Sequence, residues 1–515
     1  FMEGELVNKV DFQEENDRIY GMQYVENPGD SQLYPEGALI TARQLRDENS
    51  ALRPGERLEW KSLIFPVGSP DYFDFLNALR RKLGRIQTIP YSSVFSRGEA
   101  DPRFHVGLLA PDPWFEWTVR GGKLYNRDEY AAQMKKTREA NPNTKIIGRI
   151  ETNIVVVDKR NIPGGTRLPA SLRIDSKGNR HYGKYGAVCS PEQSEILLKH
   201  CPFADSLMFT ADRRVLVDGY YSAEPRLNLL VQVEENNYRY RNILEQIDFL
   251  IGKVGLDGVY MDQFEAGCTG SITRADRCSY DRWDGRSVDL DKTGNISRKF
   301  YDYAIMGISG REKIVRSVTD RGKIFLSNNH PISERIAVLP AFHFHEFEFY
   351  PVHQETLANT GEPETRYILG KCQLSNSPLT LGIRPSAYTK DVARFGEIIQ
   401  KAVIIALRHG VLYYCYHAKI DKDSAPGILN WMYPITPVEL GKGFIIGKER
   451  ILTAVSRDFT VPSKPSTIKF FNLKGQEIPG KADLEKRNSS WIVKLRLKDW
   501  NETAVIVFEP QVEGK

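Results

Sequence analysis

The stretch Leu256-Asp257-Gly258-Val259-Tyr260-Met261-Asp262-Gln263-Phe264 is the part of the sequence from which the fold is best argued. Its pattern is that of a short apolar strand that ends at a carboxylate, Asp262. An amphipathic helical pattern over Tyr238–Lys253 precedes it, and Gly255 supplies the turn. The order helix, turn, strand and carboxylate is typical of barrels, whose strand ends carry reactive groups at one rim. We therefore expect Asp262 to be a nucleophile or a proton-transfer group.

Strand-like and helix-like stretches alternate from about residue 100 to 418. The predicted strands are Phe104–Leu109, Lys145–Glu151, Leu227–Val233, Gly258–Gln263, Lys323–Asn328, Ala341–Phe349, Pro378–Ile383 and Val411–Tyr416. The predicted helices are Arg127–Ala140, Pro191–His200, Tyr238–Lys253, Ser297–Thr319 and Asp391–Arg408. This pattern predicts an α/β fold with a TIM (β/α)₈ barrel over residues 67–420. An open doubly wound sheet is the alternative, but the Gly-rich phosphate turn that usually marks it is not found.

Both flanks of the predicted barrel have the texture of β-structure. Residues 1–66 lack helical periodicity and carry a turn at Pro54-Gly55, which predicts an N-terminal β-rich segment that could end a larger β-sandwich. Residues 421–515 contain short strand patterns, and the turn signals Lys474-Gly475 and Pro479-Gly480 separate the later ones. They predict a C-terminal β-sandwich.

Composition narrows the possible partners. The 71 basic and 66 acidic residues are scattered and leave a net charge of +5, which predicts that nucleic acid is not a partner. No apolar run reaches the roughly 18–20 residues of a membrane span. The N-terminus lacks the basic start and apolar core of a signal peptide.

The cysteines and sequons bear on the cellular compartment. None of the six cysteines forms a CxxC motif. The close pairs Cys189/Cys201 and Cys268/Cys278 would suit disulfides, and buried free thiols are the equal alternative. Triplets Asn-x-Ser/Thr begin at Asn295, Asn488 and Asn501. Together these features favour an extracytoplasmic or secreted protein.

Polar side chains cluster at the predicted strand ends, where a barrel would gather them at one rim. We expect the following to bind a substrate: Glu151, Asn153, Gln263, Asn328, Asn329, His330, His343, His345 and Tyr416. Trp114, in a predicted loop, could stack on a sugar ring, although ordinary packing would explain it equally. The nucleophile motif GxSxG and the zinc-binding motif HExxH are absent from the sequence.

Two carboxylates, amides and aromatic walls are what cleavage of a glycosidic bond requires. One acid protonates the leaving oxygen, and the other attacks the anomeric carbon or activates water. We predict that Asp262 is the nucleophile. Glu346 is the preferred acid/base and Glu348 the second choice, because period two places both on one face of the strand 342–349. Capping or salt-bridging roles are the alternative for all three.

At these residues the sequence resembles a family. The stretch "GLDGVYMDQF" from Gly255 resembles the nucleophile strand of (β/α)₈ glycoside hydrolases of the α-galactosidase and endo-α-N-acetylgalactosaminidase type. The stretch "WMYPITPVELGKGFIIGKERILTA" from Trp431 resembles their junction between barrel and C-terminal sandwich. The resemblance implies a retaining mechanism, with Asp262 as the strand-four nucleophile. We expect no cofactor. Glu346 falls on the sixth strand, where such enzymes usually carry Asp, whereas endo-acting relatives carry Glu one strand earlier.

Two other interpretations stay open. His343-x-His345 with Glu346 and Asp262 could bind a divalent ion in a metal-dependent hydrolase. Against it, the two histidines lie on the strand face opposite the acids. A non-catalytic glycan-binding protein on the same barrel is the other alternative.

Overall fold

The structure, a computed structural model, describes the chain in segments. These are residues 2–3, 10–15, 18–23, 40–42, 51, 54–56, 61–62, 71–82, 84, 88–91, 93–96, 107–117, 125–169, 187–217, 225–264, 278–328, 333–346, 380–383, 391, 394–416 and 427–508. They belong to two compact units. The first comprises residues 1–64, 113–136 and 147–341, and the second comprises 65–112, 137–146 and 342–515. The domain boundaries expected at residues 66 and 420 stay a prediction.

A parallel sheet forms the centre of the first unit. Strand Gly258–Asp262 lies in the middle, between Lys145–Glu151 and Ile324–Asn328. Its first four residues are buried, as expected of a strand in a parallel sheet that is covered on both faces. The prediction of an apolar strand that ends at Asp262 is confirmed. The stretch predicted as Gly258–Gln263 was one residue too long.

A helix covers one face of this sheet. It begins after Asn237, whose side chain accepts a hydrogen bond from the Tyr240 amide at 2.8 Å. The α-helix Tyr238–Ile247 continues as a π-helix over Asp248–Lys253. A Cβ at Gly148 would lie 2.9 Å from the Leu250 side chain. Side chains alternate along a strand, so Gly148 faces this helix, and the residues on either side of it face the other way.

Gly258 has no room for a side chain against the neighbouring strand, since a Cβ there would lie 2.0 Å from the Ile324 carbonyl oxygen. We expect Gly258→Ala to lower the free energy of unfolding by about 3 kcal/mol, because packed backbone must move. Denaturant titration measures this. The control is Gly252→Ala, at an exposed helical site with no atom within 4 Å, which should be neutral or stabilising by up to about 1 kcal/mol. Equal midpoints for the two variants would contradict the expectation.

A four-stranded antiparallel sheet corrects one predicted barrel strand. The stretch predicted as Leu227–Val233 forms strand Arg226–Leu230 and pairs antiparallel with Ile154–Asp158. The other two strands of this sheet are Leu216–Val217 and Ala187–Val188. Helix Pro191–His200 shares its apolar core. This cover makes the strand as continuously apolar as a buried parallel one, so the apolar run misled the prediction.

Two antiparallel pairs correct the start of a predicted helix. Strand Val288–Leu290 pairs with Ile296–Lys299, and Cys278–Ser279 pairs with Tyr301–Asp302. The helix expected from Ser297 therefore begins later, as the short helix Tyr303–Met306 followed by Ile308–Thr319. The turn of the hairpin contains Gly294, whose φ of 85° is left-handed, and this conformation favours glycine.

The remaining elements of the first unit are short or lie near its edges. Helices are Arg127–Ala140, which crosses the unit boundary, and Glu334–Ala337. The 3₁₀ turns are Lys159–Asn161, Gly165–Arg167 and Ala204–Ser206. Near the N-terminus the strands are Met2–Glu3, paired with Lys61–Ser62, and the three-stranded sheet of Val10–Glu15, Arg18–Gln23 and Ile40–Ala42.

The second unit contains a second parallel sheet. Its strand order is Phe342–Glu346, Thr380–Ile383, Leu412–Tyr416, Ser93–Ser96 and Leu108–Pro111. The sequence prediction missed Ser93–Ser96 altogether, and it placed the next strand too early, at Phe104–Leu109. Helices Tyr72–Lys82 and Phe395–Arg408 contribute to one apolar core with Leu109 and Leu412 from these strands.

Two antiparallel sheets form the C-terminal part of the second unit. One has six strands in the order Pro437–Gly441, Phe444–Gly447, Arg450–Thr453, Thr503–Val507, Thr467–Phe471 and Glu477–Ile478. The other has three, in the order Arg457–Val461, Ser490–Leu495 and Ala482–Arg487. Both contribute to one apolar core. A 3₁₀ turn over Gly427–Asn430 precedes them.

Helix Tyr72–Lys82 is fastened to the outer strand of the six-stranded sheet. Asn77 donates from Nδ2 to the Leu440 carbonyl at 2.8 Å, and its Oδ1 accepts from the Leu440 amide at 2.9 Å. Arg80 donates to the Pro437 carbonyl at 3.0 Å. Side chains of the helix thus occupy hydrogen-bonding positions that a further strand would take.

Of the two alternatives for Cys189 and Cys201, a disulfide or buried free thiols, the structure has the second, because both thiols are free and buried. Burial raises the pKa of Cys189 to about 12 and that of Cys201 to about 11, so both stay protonated and act as small apolar groups. Cys278 is also free, and Cys268 lies outside the described residues. Within the described segments, no helix has the length and apolar character to cross a membrane.

Candidate functional site

Asp262 ends the central strand of the first unit, and three donors converge on one of its oxygens. Oδ1 accepts hydrogen bonds from Asn328 Nδ2 at 2.7 Å, from the Gln263 amide at 3.0 Å and from the Tyr260 hydroxyl at 3.1 Å. Donors at these distances orient a carboxylate and stabilise its negative charge. The side chain is half-buried, so it lies at the edge of the packed sheet.

The strand geometry explains why these groups meet. Tyr260 lies two residues before Asp262 and therefore points to the same face of the strand. The neighbouring strand pairs Met261 with Ser327 in parallel register, so Asn328 follows at the level of Asp262. The amide reaches the carboxylate because equivalent positions on adjacent parallel strands point the same way.

Gln263 adopts a backbone conformation that is uncommon for a residue with a side chain. Its φ of 52° lies in the left-handed region, which costs of order 1–3 kcal/mol. Its amide donates to Asp262, and its carbonyl accepts from Asn153 Nδ2 at 2.7 Å. The chain thus turns sharply directly after the carboxylate, and the turn is held from both sides.

The opposite neighbour of the central strand places a second acid beside Asp262. Glu151 is the register partner of Asp262 and is 2% exposed. Parallel register puts the two carboxylate side chains on the same face of the sheet. Arg149, fully buried and two residues earlier, shares this face, so a positive charge accompanies the two acids.

An aromatic side chain lies over this face of the sheet. The ring of Trp114 packs edge-on against Tyr260 with centroids 5.9 Å apart, and the Arg149 guanidinium lies 5.7 Å from it. Trp114 is half-buried and contacts Trp117 at 5.1 Å. An aromatic ring thus packs against the ring of Tyr260, whose hydroxyl binds Asp262.

The structure brings together five of the residues predicted from strand ends. Asp262, Gln263, Asn328, Asn153 and Glu151 are joined by the hydrogen bonds or register described above. Their roles in binding and catalysis stay predictions.

The other predicted site residues lie elsewhere in the chain. Glu346, His345 and the buried His343 belong to strand Phe342–Glu346 of the second unit, and Tyr416 ends Leu412–Tyr416. The side chains of Glu346, His345 and Tyr416 are outside the described part of the structure, as are all of Asn329, His330 and Glu348.

Three residues of the site were not predicted. Tyr260 and Arg149 carry a signal that could have found them, because each lies two residues before a predicted site acid, Asp262 or Glu151, on the same strand face. Arg239 carries none, since an arginine in an amphipathic helix is ordinarily exposed.

No set of three or more His, Cys, Asp or Glu side chains suited to a metal ion occurs among the residues that the structure describes.

Comparison with known proteins gives a short match to curated sequences. No family model matches the chain. A segment of 53 residues is 51% identical to the DNA-directed RNA polymerase subunit beta' of Parabacteroides distasonis and 53% identical to that of Bacteroides thetaiotaomicron. The match covers 10% of this chain and 4% of each polymerase subunit.

The prediction that nucleic acid is not a partner is contradicted by this match to a subunit of DNA-directed RNA polymerases, which covers a tenth of the chain. The prediction was based on scattered basic residues. Charge distribution reports only direct contact with phosphates, so it did not exclude other connections with nucleic acid.

Several solved structures align with most of the chain, with low sequence identity and low TM-scores. They include an alpha-amylase from H. orenii (10% identical, 84% of this chain and 95% of that chain, TM-score 0.36). Others are a GH31 family sulfoquinovosidase from E. rectale (10%, 85% and 66%, TM-score 0.40) and a GH31 alpha-xylosidase from Xanthomonas citri (12%, 85% and 48%, TM-score 0.37). Likenesses at these TM-scores carry no argument about fold or function.

Proposed function

We propose that the chain is a glycoside hydrolase that cleaves a glycosidic bond in an oligosaccharide, polysaccharide or glycoconjugate, with Asp262 as nucleophile. The observation that carries the proposal is the convergence of Asn328, Tyr260 and the Gln263 amide on Asp262 Oδ1. A carboxylate nucleophile must be ionised and fixed in direction, and such donors serve both needs.

The surroundings of Asp262 also suit a sugar. Asn153 and Asn328 supply amides, the usual partners of hydroxyl groups, and Trp114 supplies an aromatic surface beside Tyr260. Sugar rings pack their C–H faces on such surfaces while their hydroxyls keep polar partners. An acid flanked by amides and an aromatic ring therefore supports carbohydrate as the substrate class.

The proposal includes the barrel and the second acid. A TIM (β/α)₈ barrel over residues 67–420 belongs to the proposal. Glu346 ends a parallel strand of the second unit and is the proposed acid/base, with Glu348 as the second choice. The carboxyl ends of parallel barrel strands share one rim. A kinship with α-galactosidase-type enzymes, a C-terminal β-sandwich and an extracytoplasmic location belong to the same proposal.

The stereochemical outcome of hydrolysis is the most direct test of these roles, because they predict a retaining mechanism. Asp262 would attack the anomeric carbon as the acid protonates the leaving oxygen, and water would then release the sugar with the acid acting as base. A screen of aryl glycosides and oligosaccharides, with the first-formed product anomer followed by NMR, is expected to show retention of configuration. Inversion would contradict the nucleophile role. Absence of hydrolysis across α- and β-linked substrates would contradict the function. Loss of hydrolysis on adding a chelator would favour the metal-dependent alternative.

A further inference from the structure

Arg239 is a buried cation whose acceptors are backbone and amide oxygens. It lies at the start of helix Tyr238–Ile247 and is 2% exposed. Its guanidinium donates to the Thr152 carbonyl at 3.0 Å, to the Glu151 carbonyl and to Asn242 Oδ1. Burial lowers the pKa of Arg239 to about 10, opposed by the charges of Glu151 and Glu116, so the side chain is charged at neutral pH. The planar fork of arginine suits two neighbouring carbonyls, which the single ammonium of lysine does not.

The segment held by Arg239 is in turn bonded to the segment that carries Asp262. The Thr152 amide donates to the Asp262 carbonyl at 3.2 Å. Asn153 Nδ2 donates to the Gln263 carbonyl at 2.7 Å, and the Gln263 amide donates to Asp262 Oδ1. Residues 151–153 therefore lie between Arg239 and the carboxylate, with hydrogen bonds on both sides.

We propose that Arg239 is a positioning residue that keeps the Asp262 carboxylate in its reactive orientation through residues 151–153. The proposal rests on the proposed function of Asp262. Arg239 fixes the carbonyls of Glu151 and Thr152, and this fixes where Thr152 and Asn153 can donate. Those donors hold Gln263 in its left-handed conformation, which aims its amide at Asp262. A helix on the outside of the sheet thereby sets the direction of a side chain on the opposite face.

The test compares Arg239→Lys with Arg311→Lys. Arg311 is an equally buried arginine on helix Ile308–Thr319 that also donates to a backbone carbonyl, that of Tyr303 at 3.0 Å. We expect Arg239→Lys to lower kcat by about 10- to 100-fold with little change in KM, because displacement of a reacting group by about 1 Å has such an effect. Arg311→Lys should lose comparable stability and keep kcat.

Asn153→Leu tests the next link and separates positioning from substrate binding. If Asn153 acts through Gln263, kcat falls and KM is largely unchanged. If it binds the sugar instead, KM rises.

Crystal structures of the variants without substrate supply a readout that does not depend on activity. The expected result is that the Asp262 carboxylate moves by more than about 0.5 Å in Arg239→Lys, the tolerance of a preorganised site, and stays in place in Arg311→Lys. An unmoved carboxylate in Arg239→Lys, or equal kcat in both lysine variants, would overturn the proposal. If the wild type hydrolyses no glycoside, the function of Asp262 fails, and the structures alone still decide whether Arg239 positions it.

Discussion

Replacement of Asp262 by Asn is expected to lower the rate of glycoside hydrolysis by roughly 10⁴-fold, the scale on which removing a central catalytic group acts. The amide has nearly the same shape and can still accept from Asn328 and Tyr260 through its oxygen, but it is a very poor nucleophile. The melting temperature should therefore stay close to that of the wild type. The measurement is kcat/KM on the best substrate from the screen, with circular dichroism to follow the fold.

The matched control is Asp257→Asn. Asp257 lies just before the same strand, at its amino end. Barrel enzymes carry their catalytic groups at the opposite, carboxyl ends of the strands. It should keep the wild-type rate. If Asp262→Asn retained activity within an order of magnitude of the wild type, Asp262 would not be the nucleophile. Equal losses in both variants would assign the effect to damage to the strand.

Replacement of Glu346 by Gln is expected to lower the hydrolysis of sugar-linked substrates by about 10²- to 10⁴-fold, because a glutamine cannot protonate the leaving oxygen. Aryl glycosides with acidic phenol leaving groups need less protonation, so their first step should be far less affected. A general acid acts in its protonated form, so if Glu346 has this role the wild-type rate is expected to fall at high pH. Glu346→Gln should abolish that basic limb of the pH profile.

Glu348→Gln is the companion variant, since both acids were placed on one strand face by the sequence pattern. It should keep the basic limb and most of the activity. If it loses them and Glu346→Gln does not, the acid/base is Glu348. If neither variant depends on the leaving group, the acid must come from another strand, and Glu151, the register partner of Asp262, is the next to substitute.

Local patterns predicted the elements that carry the site. The strand that ends at Asp262, the strand Lys145–Glu151 and the helix from Tyr238 were predicted nearly residue for residue, because each has strong periodicity and a clear boundary. Asn237 caps the helix, and Gly255, with φ of 75°, separates helix from strand. Such signals depend on neighbours in sequence, which is the information a single chain provides.

Errors arose where the prediction depended on partners distant in sequence. An apolar run such as Leu227–Val233 has the same pattern whether it pairs parallel or antiparallel, and only Ile154–Asp158 beside it decides. Ser93–Ser96 is too short to carry a period of its own. The residues of the hairpin before Tyr303 have a polar pattern that also fits an exposed helix. They form strands because the left-handed turn at Gly294 brings the chain back on itself.

The sequence predicted which residues belong to the site but not which of them contact one another. Strand-end polarity identified Asp262, Glu151, Asn153 and Asn328, but which of them touch follows from register. The left-handed backbone of Gln263 and the buried guanidinium of Arg239 leave no trace in composition or periodicity. Both depend on hydrogen bonds formed across the fold.

The fastening of Asn77 and Arg80 to Leu440 and Pro437 has a practical consequence for expression of shortened proteins. A fragment that begins after Lys82 would expose the outer strand of the six-stranded sheet. Exposed edge strands pair with the edge strands of other copies of the chain. Fragments that keep residues from 71 onward should stay monodisperse, while those lacking the helix should self-associate.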